Sequence, residues 1–253
     1  NEKILWLKFN TDTSLWTELA DKYRVREYVQ KCSLENLLVK LYGVWEDAND
    51  INFEGLPDSF VLKTNNSSGQ NIIVRDKRQL DLKQTKKQLN QWLNESKKKL
   101  SFEIHYFKIP PLIIAEEYLS SEKQDIKSDS LIDYKVWCFN GEPYSIFTCY
   151  NRTCNSINID LYDIKWIRHP DCLALTKHCR PSEMLIPKPK IFNEMILASK
   201  KLAKNIPQVR IDFYNVNEKL FFGEMTFTSL SGFMDYFTEE YLIEMGDKID
   251  ISH

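Results

Sequence analysis

The chain has no long apolar run. Its most apolar short segment, Ile109-Pro-Pro-Leu-Ile-Ile-Ala115, holds two prolines and falls far short of the roughly 20 residues that a membrane-crossing helix needs. No transmembrane segment is therefore expected. It also lacks an excess of one charge: 34 Lys and Arg stand against 36 Asp and Glu, a formal net charge of -2. Nucleic-acid binders carry a basic balance or stripe, so no nucleic-acid partner is expected. No pair among the six cysteines has CxxC spacing, which argues against a zinc site built from Cys149, Cys154, His169, Cys172, His178 and Cys179 and leaves them as ordinary thiols. The GxxxxGK[ST] phosphate loop, internal repeats and low-complexity blocks are absent. The chain does not begin with Met, and it shows no basic leader before an apolar core. A cytoplasmic location is the expectation.

What is present is enough chain, 253 residues, to bury a substantial core as one large domain or two packed lobes. Helical and strand-like patterns alternate, as in an α+β or α/β chain. Helices are expected over Leu15 to Val29, in a short segment capped by Ser33, over Asp81 to Leu100 and over Ile191 to Lys204. The Asp81 to Leu100 helix has five lysines against one glutamate within Thr85 to Leu100. That is a solvated face, or a surface for peripheral contact with a membrane or an anionic glycan. Strands are expected at Phe60-Val-Leu-Lys-Thr64, Ile72-Ile-Val74, Leu112 to Tyr118, Tyr134 to Phe139 and Tyr144 to Tyr150, the last two joined by Asn140-Gly141 as a hairpin. The region from Cys154 to Pro189 reads as irregular.

The stretch from Val209 to Thr226 reads as a second hairpin, with Asp212 and Glu224 on its two arms and Asn217 and Glu218 at its turn. A three-residue connection would put Arg210, Asp212, Glu224, Thr226 and Thr228 on one face; a two-residue turn would send Asp212 and Glu224 to opposite faces. Hard cations such as Mg²⁺ use one or two carboxylates together with substrate phosphates, and this pair suits them. The structural alternative is an Arg210–Glu224 ion pair across the strands with Asp212 solvated.

Lys63 lies in a strand just before the loop Asn65-Asn-Ser-Ser-Gly-Gln-Asn71. Its ammonium and the backbone N–H groups around Ser67, Ser68 and Gly69 would converge where nucleotide phosphates could sit. An acidic strand end, Glu116-Glu117-Tyr118-Leu119, follows, and then the carboxylate hairpin. Neighbours on a strand point oppositely, so only one of Glu116 and Glu117 is expected to face a ligand.

This order of parts resembles the ATP-grasp superfamily and, within it, the TupA-like ATP-grasp proteins linked to teichuronopeptide and other surface-polysaccharide biosynthesis. The segments that carry the likeness are Ala20-Asp-Lys-Tyr-Arg-Val-Arg-Glu-Tyr28, Leu56-Pro-Asp-Ser-Phe-Val-Leu-Lys-Thr-Asn65, Ile72-Ile-Val74, Glu116 to Leu119, Asp133-Tyr-Lys-Val-Trp-Cys-Phe-Asn-Gly141, Val209 to Asn215 and Phe222-Gly-Glu-Met-Thr-Phe-Thr228. The resemblance implies an α+β ATP-grasp fold of two lobes holding ATP: residues 1–115 as the lysine and phosphate-loop lobe, and residues 116–253 as the carboxylate lobe. It implies ATP and Mg²⁺ as cofactors, and a carboxylate phosphorylated by ATP and then attacked by an amine. By motif, Lys22 and Lys63 resemble the lysines that hold ATP phosphates. Glu116 to Leu119 resemble the hinge beside adenine and ribose, Arg210 a phosphate-steadying cation, and Asp212 with Glu224 the Mg²⁺ ligands. Lys135 and Arg152 are similar in position to cations that meet the nucleotide or the acceptor carboxylate.

Three departures stand out. The usual Glu-x-Asn metal pair is Glu224-Met-Thr226, with a hydroxyl in place of an amide oxygen. The loop has Gly69 as its only glycine. No full N-terminal domain fits before Lys22. The expected function is a carboxylate–amine ligase that amidates a uronic acid or amino-acid carboxylate in a bacterial capsule or surface polymer, with an amino acid or other amine as second substrate. The alternatives are a kinase of a sugar or polymer hydroxyl, and a degenerate nucleotide- or glycan-binding module.

Overall fold

The computed structural model describes residues 1–98, 103–124, 126–174, 176–181 and 184–251. Helices α1 (Glu2–Asn10), α2 (Ser14–Ala20) and α3 (Val25–Lys31) open the chain, followed by strands β1 (Leu41–Trp45), β2 (Phe60–Thr64) and β3 (Asn71–Val74). Helices α4 (Leu82–Lys98) and α5 (Ile104–Phe107) precede β4 (Ile113–Glu117), β5 (Asp133–Phe139), β6 (Glu142–Tyr150), β7 (Ile157–Asp163) and β8 (Cys179–Pro181). Helix α6 (Phe192–Leu202), strands β9 (Gln208–Val216) and β10 (Lys219–Thr226) and helix α7 (Glu239–Asp247) complete the order. The chain forms two compact units, one of residues 13–28 and 38–119 and one of residues 1–12, 29–37 and 120–253.

The first unit holds a four-stranded antiparallel sheet in the order β1-β4-β2-β3. Alternation on β2 sends Phe60 and Leu62 into a core shared with Ile113 and Ala115 of β4 and with Leu89 and Leu93 of α4. The opposite face of the same strands therefore carries Lys63 and Glu116. The α4 helix is amphipathic as its spacing predicts, although Leu82 is exposed; the expected last apolar position, Leu100, lies outside the described residues. The single helix expected over Leu15 to Val29 is two helices. Asp21 breaks it by turning its carboxylate onto the backbone N–H groups of Tyr23 (2.8 Å) and Arg24 (3.2 Å), a cap that a short acidic side chain makes readily.

The second unit is built on a six-stranded sheet, β10-β9-β5-β6-β7-β8, antiparallel except for the β7–β8 pair. The hairpin at Asn140-Gly141 forms as its sequence predicts, with φ of 50° and 83° at the two turn residues. The region expected to be irregular contains a full strand, β7, whose Ile157, Ile159 and Leu161 are buried. One face of the sheet packs Tyr134 against Trp166, which meets Phe192 of α6. The other gathers Trp137, Phe147, Tyr236 and Phe237 into an aromatic floor. Along this floor β5 and β9 pair Lys135 with Asp212 and Trp137 with Arg210, so charged and aromatic side chains share one face.

Candidate functional site

The β9–β10 hairpin turns through Asn217 and Glu218, with φ of 54° and 56°. Val216 pairs with Lys219 across it. This is the two-residue turn that, carried on without interruption, would put Asp212 and Glu224 on opposite faces. The register shifts between Phe222 and Glu224, however, and Glu224 lies directly across from Asp212 and Thr226 across from Arg210. Gly223 is the extra residue of a β-bulge, which re-aims the strand. A Cβ there would sit 2.9 Å from the carbonyl oxygen of Asp212, so the close approach requires glycine. The shared polar face is reached by a bulge instead of a longer turn.

On that face Arg210 makes a two-pronged contact with Asp212, Nε to Oδ1 at 2.7 Å and Nη2 to Oδ2 at 2.9 Å. Its Nη2 also reaches Thr226 Oγ1 at 3.1 Å and Glu224 Oε1 at 3.5 Å, and its Nη1 donates to Ser229 Oγ at 2.7 Å. The Arg210–Glu224 ion pair of the structural alternative is thus present, at 3.5 Å. Asp212 is not solvated, being 1% exposed. Lys135 donates to Asp212 Oδ2 and lies 3.5 Å from Asp133 Oδ1. Arg152 Nη2 meets Asp133 Oδ2 at 2.8 Å. The result is a chain of alternating charge, Arg152–Asp133–Lys135–Asp212–Arg210–Glu224.

Burial opposes the charges of Arg210 and Lys135, but the carboxylates outweigh it: Asp212 holds Arg210 well above its ordinary pKa, and Asp133 and Asp212 raise Lys135. Asp133 does the same for Arg152 against its burial. Tyr214, which the sequence reading passed over, is kept protonated, first by Asp133 and then by burial, Glu224 and Asp212. Burial pushes the phenol of Tyr236 up to about 12. Buried ion clusters are weak contributors to stability because desolvation offsets their attraction. Concentrated on one face, they are what a site for charged ligands requires. Among the described residues, no group of three or more His, Cys, Asp and Glu could hold a metal by itself. Asp212 and Glu224, directly opposed, instead suit a Mg²⁺ completed by phosphate and water oxygens.

In the other unit, Lys22 is not a freely solvated helix lysine. Its Nζ donates to the carbonyl oxygen of Ser67 at 2.8 Å, and its N–H to that of Asn65 at 3.0 Å. Asn65, fully buried, fixes the base of this loop. Its amide donates to Asp21 at 2.9 Å and to the Pro110 carbonyl at 3.0 Å, and accepts from the Leu112 N–H at 2.8 Å. Ser67 also bonds Thr64 through its hydroxyl. Gly69, at φ 76°, has open space where a Cβ would be, and Ser68 lies beside it. Lys63 Nζ pairs with Glu116 Oε2 at 2.6 Å, and Arg26 Nη1 with Glu116 Oε1 at 3.3 Å. Burial depresses the Arg26 guanidinium, and Glu116 partly offsets it. Glu116 is buried on the Lys63 face while Glu117 is exposed on the other, with Tyr118 and Leu119 half-buried beyond. Lys22, Lys63, Ser67 and Glu116 are thus gathered in one unit, and Lys135, Arg152, Arg210, Asp212, Glu224 and Thr226 in the other. Asp21, Arg26, Asn65, Asp133 and Tyr214 are the additions. The only signal for them was that all five lie inside the segments already singled out.

The chain matches no curated protein. Its folded form is similar to solved structures that include a D-alanine–D-alanine ligase from Bacillus anthracis complexed with ATP, at 15% identity over 83% of this chain and 53% of that one, TM-score 0.42. An ADP complex of N5-carboxyaminoimidazole ribonucleotide synthetase shares 13% identity over 89% and 50% of the two chains, TM-score 0.48. A D-alanine–D-alanine ligase from Helicobacter pylori shares 12% over 92% and 61%, TM-score 0.46. The chain thus spans about half to three fifths of the length of these proteins. The family model described as TupA-like ATPgrasp matches residues 2–250, nearly the whole sequence. The chain belongs to the TupA-like ATP-grasp family.

Proposed function

We propose that this protein is an ATP- and Mg²⁺-dependent carboxylate–amine ligase. The observation that carries the reading is the register of Asp212 against Glu224 on one face, with Arg210 and Lys135 beside them. Phosphoryl transfer asks little of a protein beyond positioning and charge neutralisation, and these residue types supply both. Asp212 and Glu224 would hold Mg²⁺, with Thr226 Oγ1 as a weaker oxygen donor than the amide it replaces. The ion would neutralise charge on the β- and γ-phosphates. Arg210 would steady the phosphates. Lys22 and Lys63 would bind phosphate, the Ser67-Ser68-Gly69 backbone would cover it, and Glu116 to Leu119 would border the adenosine.

In the proposed reaction a substrate carboxylate oxygen attacks the γ-phosphorus and ADP leaves with the bridging oxygen. An amine then attacks the acyl carbon of the acylphosphate, inorganic phosphate departs, and the amine gives up a proton. Lys135 and Arg152 would orient the acceptor carboxylate or the transferred group. Family membership suggests a carboxylate-bearing sugar or polymer of the bacterial surface, such as a uronic acid, with an amino acid or other amine as partner. The reaction would run in the cytoplasm, where ATP is made. Among the described residues no helix is long and apolar enough to cross a membrane.

Hydroxylamine traps acylphosphates as hydroxamates. Incubation with ATP, Mg²⁺ and a panel of uronic acids should yield a hydroxamate and one ADP per trapped acyl group. A stable phosphate ester with no hydroxamate would instead make the protein a kinase, and no nucleotide turnover with any acceptor would make it a binding module.

A further inference from the structure

Asp133 has no part in the proposed binding of ATP and Mg²⁺, yet it links Arg152 to Lys135 in the charge chain. It is 8% exposed. One carboxylate oxygen accepts from Arg152 at 2.8 Å and the other lies 3.5 Å from the Lys135 ammonium. Lys135 is at the same time bound to Asp212, the carboxylate that the proposed metal needs. Asp212 already holds Arg210 on both oxygens, at 2.7 and 2.9 Å, and Lys135 on one, so a divalent cation there would be a third positive charge on one carboxylate, and like charges that close repel; of the two resident cations only Lys135 has a second carboxylate on its own strand. The Lys135 side chain is only 11% exposed, so release to bulk water is a poor refuge. Asp133 lies two residues away on the same face of β5, already within a small side-chain movement.

We propose that Asp133 is the receiving carboxylate for Lys135, a positioning residue that takes over the ammonium when Asp212 engages Mg²⁺. Arg152 orients it, holding one oxygen so that the other faces Lys135. In the metal-free state Lys135 stands in for the divalent cation at Asp212; in the loaded state it stays charged and close by, paired to Asp133. This inference rests on the reading of Asp212 and Glu224 as metal ligands.

The test is calorimetric titration of the full chain with a non-hydrolysable ATP analogue, with and without saturating Mg²⁺. The quantity read is the factor by which Mg²⁺ tightens binding. Asp133→Asn should lower that factor about tenfold, because Lys135 then remains on Asp212. Lys135→Met should raise it several-fold, because the competing ammonium is gone. Adding Asp133→Asn to Lys135→Met should change it less than twofold. An unchanged factor in Asp133→Asn overturns the proposal, as does an equal drop in the Lys135→Met background, which would mean a simple through-space charge effect. Should Asp133→Asn not fold, the Lys135→Met arm decides alone, and an unchanged or lowered factor there is contrary. If wild type shows no Mg²⁺ effect, or Asp212→Asn leaves the effect intact, the metal reading fails and takes this inference with it. A large effect abolished by Asp212→Asn, without coupling between Asp133 and Lys135, overturns this inference alone.

Discussion

Single residues carry the sharpest expectations. Asp212→Asn should reduce Mg²⁺-dependent ATP turnover about a hundredfold or more, the scale of losing one transition-state charge contact. The fold should survive, since Lys135 keeps Asp133 and Arg210 keeps Glu224 within reach; circular dichroism alongside kinetics separates the two effects. Lys63→Met should weaken nucleotide binding about tenfold in the same titration without unfolding the protein, because Glu116 retains Arg26 at 3.3 Å. Cys149 gives a pH prediction. Burial pushes its thiol up to about 12, whereas an unfolded thiol ionises near about 8.5. The folded state therefore holds a proton that the unfolded state loses, so this contribution is complete below about pH 8.5 and shrinks as pH rises towards about 12. Urea midpoints should fall between about pH 9 and about pH 11, and Cys149→Ala should flatten that slope. At this scale Lys63, Asp212 and Glu224 were legible because charged side chains inside strand patterns need a reason. Asp21, Asn65 and Asp133 were not, because their importance lies in partners far along the chain, such as Leu112 for Asn65.

Among elements, the β9–β10 hairpin shows how a local reading can reach the right face by the wrong device. Asn217 and Glu218 were visible as a turn, but the bulge at Gly223 was not: a lone glycine in a strand signals a bulge only once its neighbour's carbonyl is known to lie 2.9 Å from the missing Cβ. Gly223→Val should cost about 1–3 kcal/mol of stability through overpacking. It should also abolish the Mg²⁺ effect on nucleotide binding although both carboxylates remain; a variant that keeps the full effect would separate the bulge from the site. The Asn140-Gly141 hairpin was legible because the turn residues themselves demand the left-handed backbone. The helix break at Asp21 was not, since a capping carboxylate and a solvated one look alike in sequence. β7 was hidden by the prolines that follow it, although Ile157, Ile159 and Leu161 alternate as a strand should.

For the whole molecule, alternating patterns narrowed the class to α+β or α/β, and the resemblance carried by motifs over nearly the full length gave α+β and the family. Strand order did not follow. β9 pairs with β5, and β4 lies between β1 and β2, pairings that join segments far apart in sequence and depend on which faces the cores bury. Every proposed role depends on this chain binding ATP together with Mg²⁺ through Asp212. Titration of the intact protein and of Asp212→Asn with a non-hydrolysable ATP analogue, with and without Mg²⁺, tests it most directly. Mg²⁺ should tighten binding in the wild type and leave it unchanged in the variant. Absence of binding at millimolar nucleotide, or an identical Mg²⁺ effect in both proteins, would contradict it.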